Sequence, residues 1–222
     1  MSKTLMIIGA GPGIGQATAQ RFAAEGYRLI LASRSVQRLE AQSKSLRADG
    51  IEVVIEAVDA NNPHAVADLV SRYAEQLDVL HYNAGVLHYD EAGALQMRPL
   101  AVESVDSLVS DLNINIASAL AAIRAVLPTM TARGHGSLLL TGGGLAVQPF
   151  ADLLSLSIGK AGVRTTAQAL FEPLKAQGVH IATVTVATLV APGSQQSREI
   201  AEAFWDLNAQ PVDAWTWETQ YA

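Results

Sequence analysis

The chain has 222 residues, half of them hydrophobic and only 16% charged, which excludes a disordered or linker-type protein and suits a single domain over 1–222 with one sizeable core. Fifteen lysines and arginines against 21 acidic residues give a net charge of −6, with no basic run able to follow a phosphate backbone, so no nucleic-acid partner is expected. The absence of cysteine rules out disulfides, thiolate metal sites and a cysteine nucleophile.

Leu5 to Ile8 is a short continuous apolar run closed by glycine, the pattern of a strand buried on both faces of a parallel sheet. The apolar stretch ends at Ala10, too short for a signal-peptide core or a membrane span, so a soluble cytoplasmic protein without a membrane partner is expected. From Gly13 the positions Ile14, Ala17, Ala19, Phe22 and Ala23 recur at near-helical spacing as far as Gly26, a C-cap. Further strands are expected at 28–32, 51–58, 78–82, 137–141 and 179–186. Helices are expected at 35–48, at 63–74 with Asn62 as cap, at 102–132 with a break near Asp111, at 153–175 and at 198–207. This alternation predicts a single-domain α/β fold, a doubly wound Rossmann-like parallel sheet with right-handed crossovers and helices on both faces. Residues from about 187 to 222 supply a short segment on the substrate side and a last strand. Ligands of such sheets bind beyond the carboxyl ends of the strands, so function is read from the residues found there.

Gly9-Ala10-Gly11-Pro12-Gly13-Ile14-Gly15 joins the first strand to the first helix. Glycine lets the backbone turn tightly and approach a pyrophosphate, and a helix N-terminus offers it free N–H groups and a positive dipole end. Glycines also serve as plain strand-to-helix turns. The position after a first buried strand, with another strand and helix behind it, favours dinucleotide binding.

With Asn83-Ala84-Gly85 after the fourth strand, the spacing Gly9-x-x-x-Gly13-x-Gly15 resembles the short-chain dehydrogenase/reductase family. The resemblance runs from Leu5 to about Val184. It takes in Asp59 after the third strand, Asn115 in Asn115-Ile116-Ala117-Ser118, and Lys160 in Ser157-Ile158-Gly159-Lys160-Ala161-Gly162-Val163. It implies a cofactor site of Gly9, Gly13, Ile14 and Gly15 at the glycine turn, Asp59 near the adenine, and Asn83, Ala84 and Gly85 beside the adenosine ribose. Lys160 would bond the nicotinamide ribose, and Asn115 and Lys160 would be the catalytic positions. An acidic residue ending the second strand would favour NAD; Ser33 followed by Arg34 stands there instead, and a guanidinium suits a 2′-phosphate. NADP is therefore expected rather than NAD. The plain alternative is that Arg34 is a solvated charge in a basic stretch that includes Arg38.

The catalytic centre departs from the family's pattern. Tyr-x-x-x-Lys counts back from Lys160 to Leu156, and the family's serine, thirteen residues earlier, falls on Gly143. Proton delivery by a positioned acid is worth about 10²–10⁴-fold, and some turnover can survive its loss because the cofactor supplies the hydride. Ser155 and Ser157 are each turned about 100° from Leu156 on a helix, and an unactivated hydroxyl is a poor acid. His88 and Tyr89 are read first as surface loop residues, with proton donation as the alternative. Lys160 is a further donor if burial lowers its pKa. Where the family carries Pro-Gly after the sixth strand this chain has Val186-Ala187, leaving Thr188 to reach the nicotinamide carboxamide.

Trp215 and Trp217 are expected to close the last strand and core rather than recognise a ligand. His64, His135 and His180 are scattered without carboxylates at ligand spacing, so no metal is expected. The helices around 115–127 and 153–174 are rich in alanine and leucine on more than one face. The resemblance implies a homo-oligomer, dimer or tetramer, through these two helices; ordinary helix-on-sheet burial is the alternative. The expected function is an oxidoreductase moving a hydride between NADP(H) and a small carbonyl or alcohol, with an atypical active site. The alternative is a catalytically silent NADP-binding protein acting as a sensor or partner subunit.

Overall fold

A computed structural model describes residues 2–222. Seven strands, β1 (Thr4–Ile8), β2 (Arg28–Ser33), β3 (Val53–Ala57), β4 (Val79–Tyr82), β5 (Gly136–Thr141), β6 (Val179–Val186) and β7 (Glu218–Tyr221), form one sheet in the order β3-β2-β1-β4-β5-β6-β7. Every pairing is parallel, so all carboxyl ends lie along one edge, and the order reverses between β1 and β4. The helices are α1 (Ile14–Ala24), α2 (Val36–Ala48), α3 (Pro63–Tyr73), α4 (Val105–Leu112), α5 (Ser118–Arg133), α6 (Leu154–Lys175) and α7 (Gln195–Ala209).

Successive strand side chains point to opposite faces, and both faces are covered. Met6, Ile8, Leu80, Leu138 and Leu140 pack with α3, α5 and α6 on one side. Leu5, Ile7, Val79, Leu139 and Val184 pack with α1, α2 and α7 on the other. This is the doubly wound architecture expected from the apolar runs.

The boundaries differ where local hydrogen bonds intervene. β3 begins at Val53 rather than Ile51, because the Ile51 N–H is spent on the carbonyl of Leu46, behind the left-handed Gly50. Ser104 accepts from the Ser107 N–H and starts α4 at Val105, not Val102. Ser194 likewise caps α7 through the Ser197 N–H, so that helix starts before Arg198. No break occurs near Asp111. The helix passes through a π-turn, Asn113–Ala117, and continues as α5.

Helix α6 reaches that π-turn closely because two of its residues lack side chains. A Cβ on Gly159 would lie 2.3 Å from the Asn115 Cβ, and one on Gly162 would lie 2.9 Å from Ile116 Cγ1. The stretch Val105–Arg133 is long and apolar enough, by length and composition, to cross a membrane. Its residues Ala119, Ala122, Ile123, Val126 and Met130 are buried in the core, whereas Val105, Val109 and Leu120 are exposed.

The tryptophans close the last strand, as expected. Trp215 stacks on His180 with centroids 4.6 Å apart, and Trp217 lies under the Arg164 guanidinium. Arg164 binds Glu218 of β7 through two hydrogen bonds of 2.8 Å, and Thr185 donates to the same carboxylate. The residues after β6 divide accordingly. Helix α7 buries Ile200, Phe204 and Leu207 in the core, and the loop 187–194 stays at the carboxyl edge of the sheet.

Candidate active site

The glycine turn is held from below by Asn83. Its Nδ2 donates to the Gly9 carbonyl at 2.7 Å, and its own N–H bonds the Ile8 carbonyl. Two glycines are required by packing alone. Gly9 has φ +86°, and a Cβ there would sit 2.5 Å from the Ala84 nitrogen; one on Gly15 would sit 2.7 Å from the Gly9 oxygen. Gly11 and Gly13 differ. A Cβ on Gly11 would meet nothing within 4 Å, and one on Gly13 only the Val190 oxygen at 4.0 Å. Their missing side chains leave an open cradle above the helix N-terminus. There the Ile14 and Gly15 N–H groups have no acceptor among the described residues. Open space together with unpaired donors fits a phosphate group.

Asn83 is itself oriented by a buried chain of bonds. Thr141 donates from Oγ1 to Asn83 Oδ1 at 2.8 Å, so its hydroxyl oxygen must accept from His81 Nε2 at 2.9 Å. Burial lowers the His81 pKa from 6.5 to about 3, which keeps the ring neutral with its proton on Nε2. Thr141 stands at a strand end, where function is read, but His81 was not singled out from the sequence. His81 sits in an apolar strand run and reads there as core.

Lys160 and Asn115 converge on the turn after β4. A side chain on Gly85 would lie 3.5 Å from Asn115 Oδ1 and 3.6 Å from Lys160 Nζ. Asn115 sits on the π-turn, a distortion frequent at functional sites, and its Oδ1 accepts from the Val86 N–H at 3.0 Å. Its Nδ2 is buried without a partner among the described residues. Lys160 Nζ donates to the Thr141 carbonyl at 2.7 Å, and burial lowers its pKa from 10.5 to about 8. Gly143 lies against the lysine stem, where a Cβ would come within 3.1–3.3 Å of Lys160 Cγ, Cδ and Cε.

The remaining expected positions line the same edge. Ser33 ends β2 and Arg34 follows it; Arg34 is exposed and, like Arg38, makes no side-chain hydrogen bond among the described residues, whereas Ser33 Oγ accepts from the Ser35 N–H. Asp59 is exposed and accepts from the Asn61 N–H. Thr188 is exposed in the loop whose Val190 carbonyl approaches Gly13.

Leu156, one helical turn before Lys160, is buried and walls a crevice shared with Val86, His88, Asp111 and Ser155. His88 is partly exposed and is also paired. Its Nε2 lies 3.0 and 3.1 Å from the two oxygens of Asp111, a carboxylate only 3% exposed. Ser155 donates to Asp111 Oδ2 at 2.7 Å. Tyr89, by contrast, is exposed and pairs through its backbone with Leu95. No cluster able to hold a metal ion occurs among the described residues.

The sequence pattern described as short chain dehydrogenase matches residues 3–202. The chain belongs to that family. Its relatives include an uncharacterized oxidoreductase of Listeria monocytogenes, 29% identical over 189 residues that cover 83% of this chain and 73% of the relative. A 3-dehydrosphinganine reductase of Arabidopsis thaliana is also 29% identical, over 202 residues that cover 89% of this chain and 59% of that protein. Among solved structures, a metagenomic short-chain oxidoreductase in complex with NADP shares the fold with a TM-score of 0.88 and 24% identity, covering 100% of this chain and 97% of the other. In this short-chain dehydrogenase, the glycine turn, the Asn83 brace and the Asn115–Lys160 pair all stand at the switch point where β1 and β4 part.

Proposed function

We propose that this short-chain dehydrogenase is an oxidoreductase that transfers a hydride between NADP(H) and a small carbonyl or alcohol. The observation that carries this reading is the convergence of Lys160 Nζ and Asn115 Oδ1 at Gly85, beside the open glycine cradle. NADP(H), when bound, supplies or accepts the hydride. The N–H groups of Ile14 and Gly15 would bind its pyrophosphate, with Gly9 and Gly15 shaping the turn. Lys160 would donate to the nicotinamide ribose, Asp59 and the Asn83-Ala84-Gly85 turn would flank the adenosine, and Thr188 would reach the carboxamide.

Arg34 supports NADP over NAD, because it is a free guanidinium just past β2, where a 2′-phosphate would otherwise stay unpaired. The test is a titration with NADPH and with NADH, followed by energy transfer from the tryptophans to the reduced nicotinamide. Arg34→Ala is expected to weaken NADPH about tenfold, or about 1.4 kcal/mol, and to leave NADH unchanged. Equal loss for both cofactors would remove the 2′-phosphate assignment.

A second reading, a silent NADP-binding protein, is favoured by Leu156, which offers no proton one turn before Lys160. Turnover separates the two readings. An enzyme reduces carbonyls as it stands, whereas a silent binder gains reduction only in Leu156→Tyr. We also infer a homo-oligomer. Val105, Val109, Leu120 and Ile158 leave apolar side chains exposed along α4, α5 and α6, and sedimentation velocity of wild type against Leu120→Glu tests that face.

A further inference from the structure

The crevice beside Leu156 contains a complete histidine–carboxylate pair. We propose that His88 is the proton donor of this active site, positioned by Asp111 and Ser155, in the place where the family's pattern has a phenol. The proposal rests on the oxidoreductase reading above.

Asp111 is the centre of the arrangement. It is buried on α4 and takes hydrogen bonds from two other segments, His88 in the loop after β4 and Ser155 at the start of α6. A carboxylate oxygen only accepts, so His88 Nε2 carries a proton toward it, and Nδ1 is the nitrogen left for a ligand. The imidazole is 32% exposed, open to both ligand and water. A buried carboxylate is costly unless paired, and the pairing in turn fixes the orientation of the His88 ring. Ser155 satisfies a second lone pair on the same oxygen that His88 approaches.

The pair is tied to the rest of the site. Val86, two residues before His88, donates its N–H to Asn115, the residue that meets Lys160 around Gly85. Leu156 and His88 wall one crevice, and Leu156 lies on the same side of α6 as Lys160, four residues away. The other charged groups facing the crevice are Arg98 and Glu103, which pair with each other, and Asp152, whose carbonyl accepts from the Arg98 N–H. Arg98 is thus paired with Glu103, and a guanidinium does not give up its proton, whereas the His88 ring can pass one on from Nδ1.

As the carbonyl carbon takes up the hydride from NADPH, its C–O π pair moves onto oxygen. The donor is the His88 imidazolium, with Nε2–H on Asp111 and Nδ1–H on the substrate: the N–H bond at Nδ1 breaks, its proton joins that oxygen, and the bonding pair stays on a ring that is now neutral and keeps its Nε2 proton. The neutral imidazole then regains a proton from water at its exposed edge. The carbonyl is reduced to an alcohol and NADPH is oxidised to NADP+.

The experiment uses the full chain, with NADPH and three activated carbonyls as probes: isatin, ethyl acetoacetate and ethyl pyruvate. Binding of NADPH is measured first, in wild type and in His88→Ala, and the same affinity is expected in both. With the probe that turns over best, His88→Ala should lose about 10²-fold or more in kcat with KM little changed. Added imidazole should restore part of the loss, and Leu156→Tyr in the His88→Ala background should restore it without imidazole. Asp111→Asn, which keeps a hydrogen-bonding side chain without the charge, should lower kcat with KM little changed. Wild-type kcat in His88→Ala, or a loss that neither imidazole nor Leu156→Tyr repairs, overturns the proposal. So does a wild-type protein that binds NADPH and reduces none of the three probes, which is the behaviour of a silent binder. Failure of wild type to bind NADPH would instead bring down the oxidoreductase reading itself, and the donor assignment with it.

Discussion

Lys160 Nζ and the carbonyl oxygen of Thr141 are 2.7 Å apart, so the residue whose hydroxyl orients Asn83 also holds the lysine. The ammonium pays for its burial with a pKa lowered to about 8 from 10.5. NMR of lysines labelled at Cε should therefore show one signal titrating near 8, absent in Lys160→Met. Between about pH 8 and 10.5 the unfolded chain keeps a proton that the folded chain has released. Stability should rise with pH through that window in wild type relative to Lys160→Met. If all lysines titrate together above pH 10, Lys160 is not in the environment described.

His81 carries the opposite end of the pH scale. Its pKa falls from 6.5 to about 3 through burial, so between those values the unfolded chain binds a proton the folded chain refuses. Stability should fall as pH falls through this range, by up to about 1.4 kcal/mol per pH unit from this residue. His180, also lowered by burial, acts in the same direction. His81→Gln keeps a donor for Thr141 and cannot take up the proton. Urea unfolding at a series of pH values should show a shallower acid slope in this variant.

The four glycines of the first turn should separate into two classes. Gly9→Ala combines a left-handed backbone with a contact of 2.5 Å to the Ala84 nitrogen, and should cost about 2–4 kcal/mol in unfolding free energy. Gly13→Ala meets only the Val190 oxygen at 4.0 Å, and its cost should be under about 1 kcal/mol while NADPH affinity falls. A Gly13→Ala protein with undiminished NADPH affinity would mean that the cradle is only a turn.

Gly159→Ala places a methyl group 2.3 Å from the Asn115 Cβ, so α6 and the π-turn must move apart. Overpacking of this kind costs about 1–3 kcal/mol. Because Asn115 anchors Val86, NADPH binding and thermal stability should decline together. A folded variant with wild-type stability would show that the π-turn can yield without loss.

Much of the fold was legible along the chain. Strands buried on both faces need continuous apolar runs, and Leu5-Met6-Ile7-Ile8 is such a run, so β1 was plain. Asn62 was readable as the cap of α3, because its Oδ1 does accept from the Ala65 N–H. The glycine spacing and the four-residue step from Leu156 to Lys160 are likewise local, since one turn of helix puts both side chains on one side. The π-turn was not legible. It packs against Gly159 and Gly162 on another helix, and helical periodicity carries no trace of a partner; Asp111 was read only as a point where the helix breaks.

The histidine–carboxylate pair belongs to the same illegible class. His88 is 23 residues from Asp111, and Ser155 is 44, distances at which no periodicity relates one side chain to another. Short-range order follows from backbone sterics and the burial of apolar faces, both written in neighbouring residues. The crevice follows from how the loop after β4, α4 and α6 come together, and that depends on the closure of the whole sheet. Composition, buried strands and the glycine turn were therefore fixed locally. Which polar side chains meet beside Leu156 was settled only when the helices packed, because a buried carboxylate takes whatever donors the assembled core brings within reach.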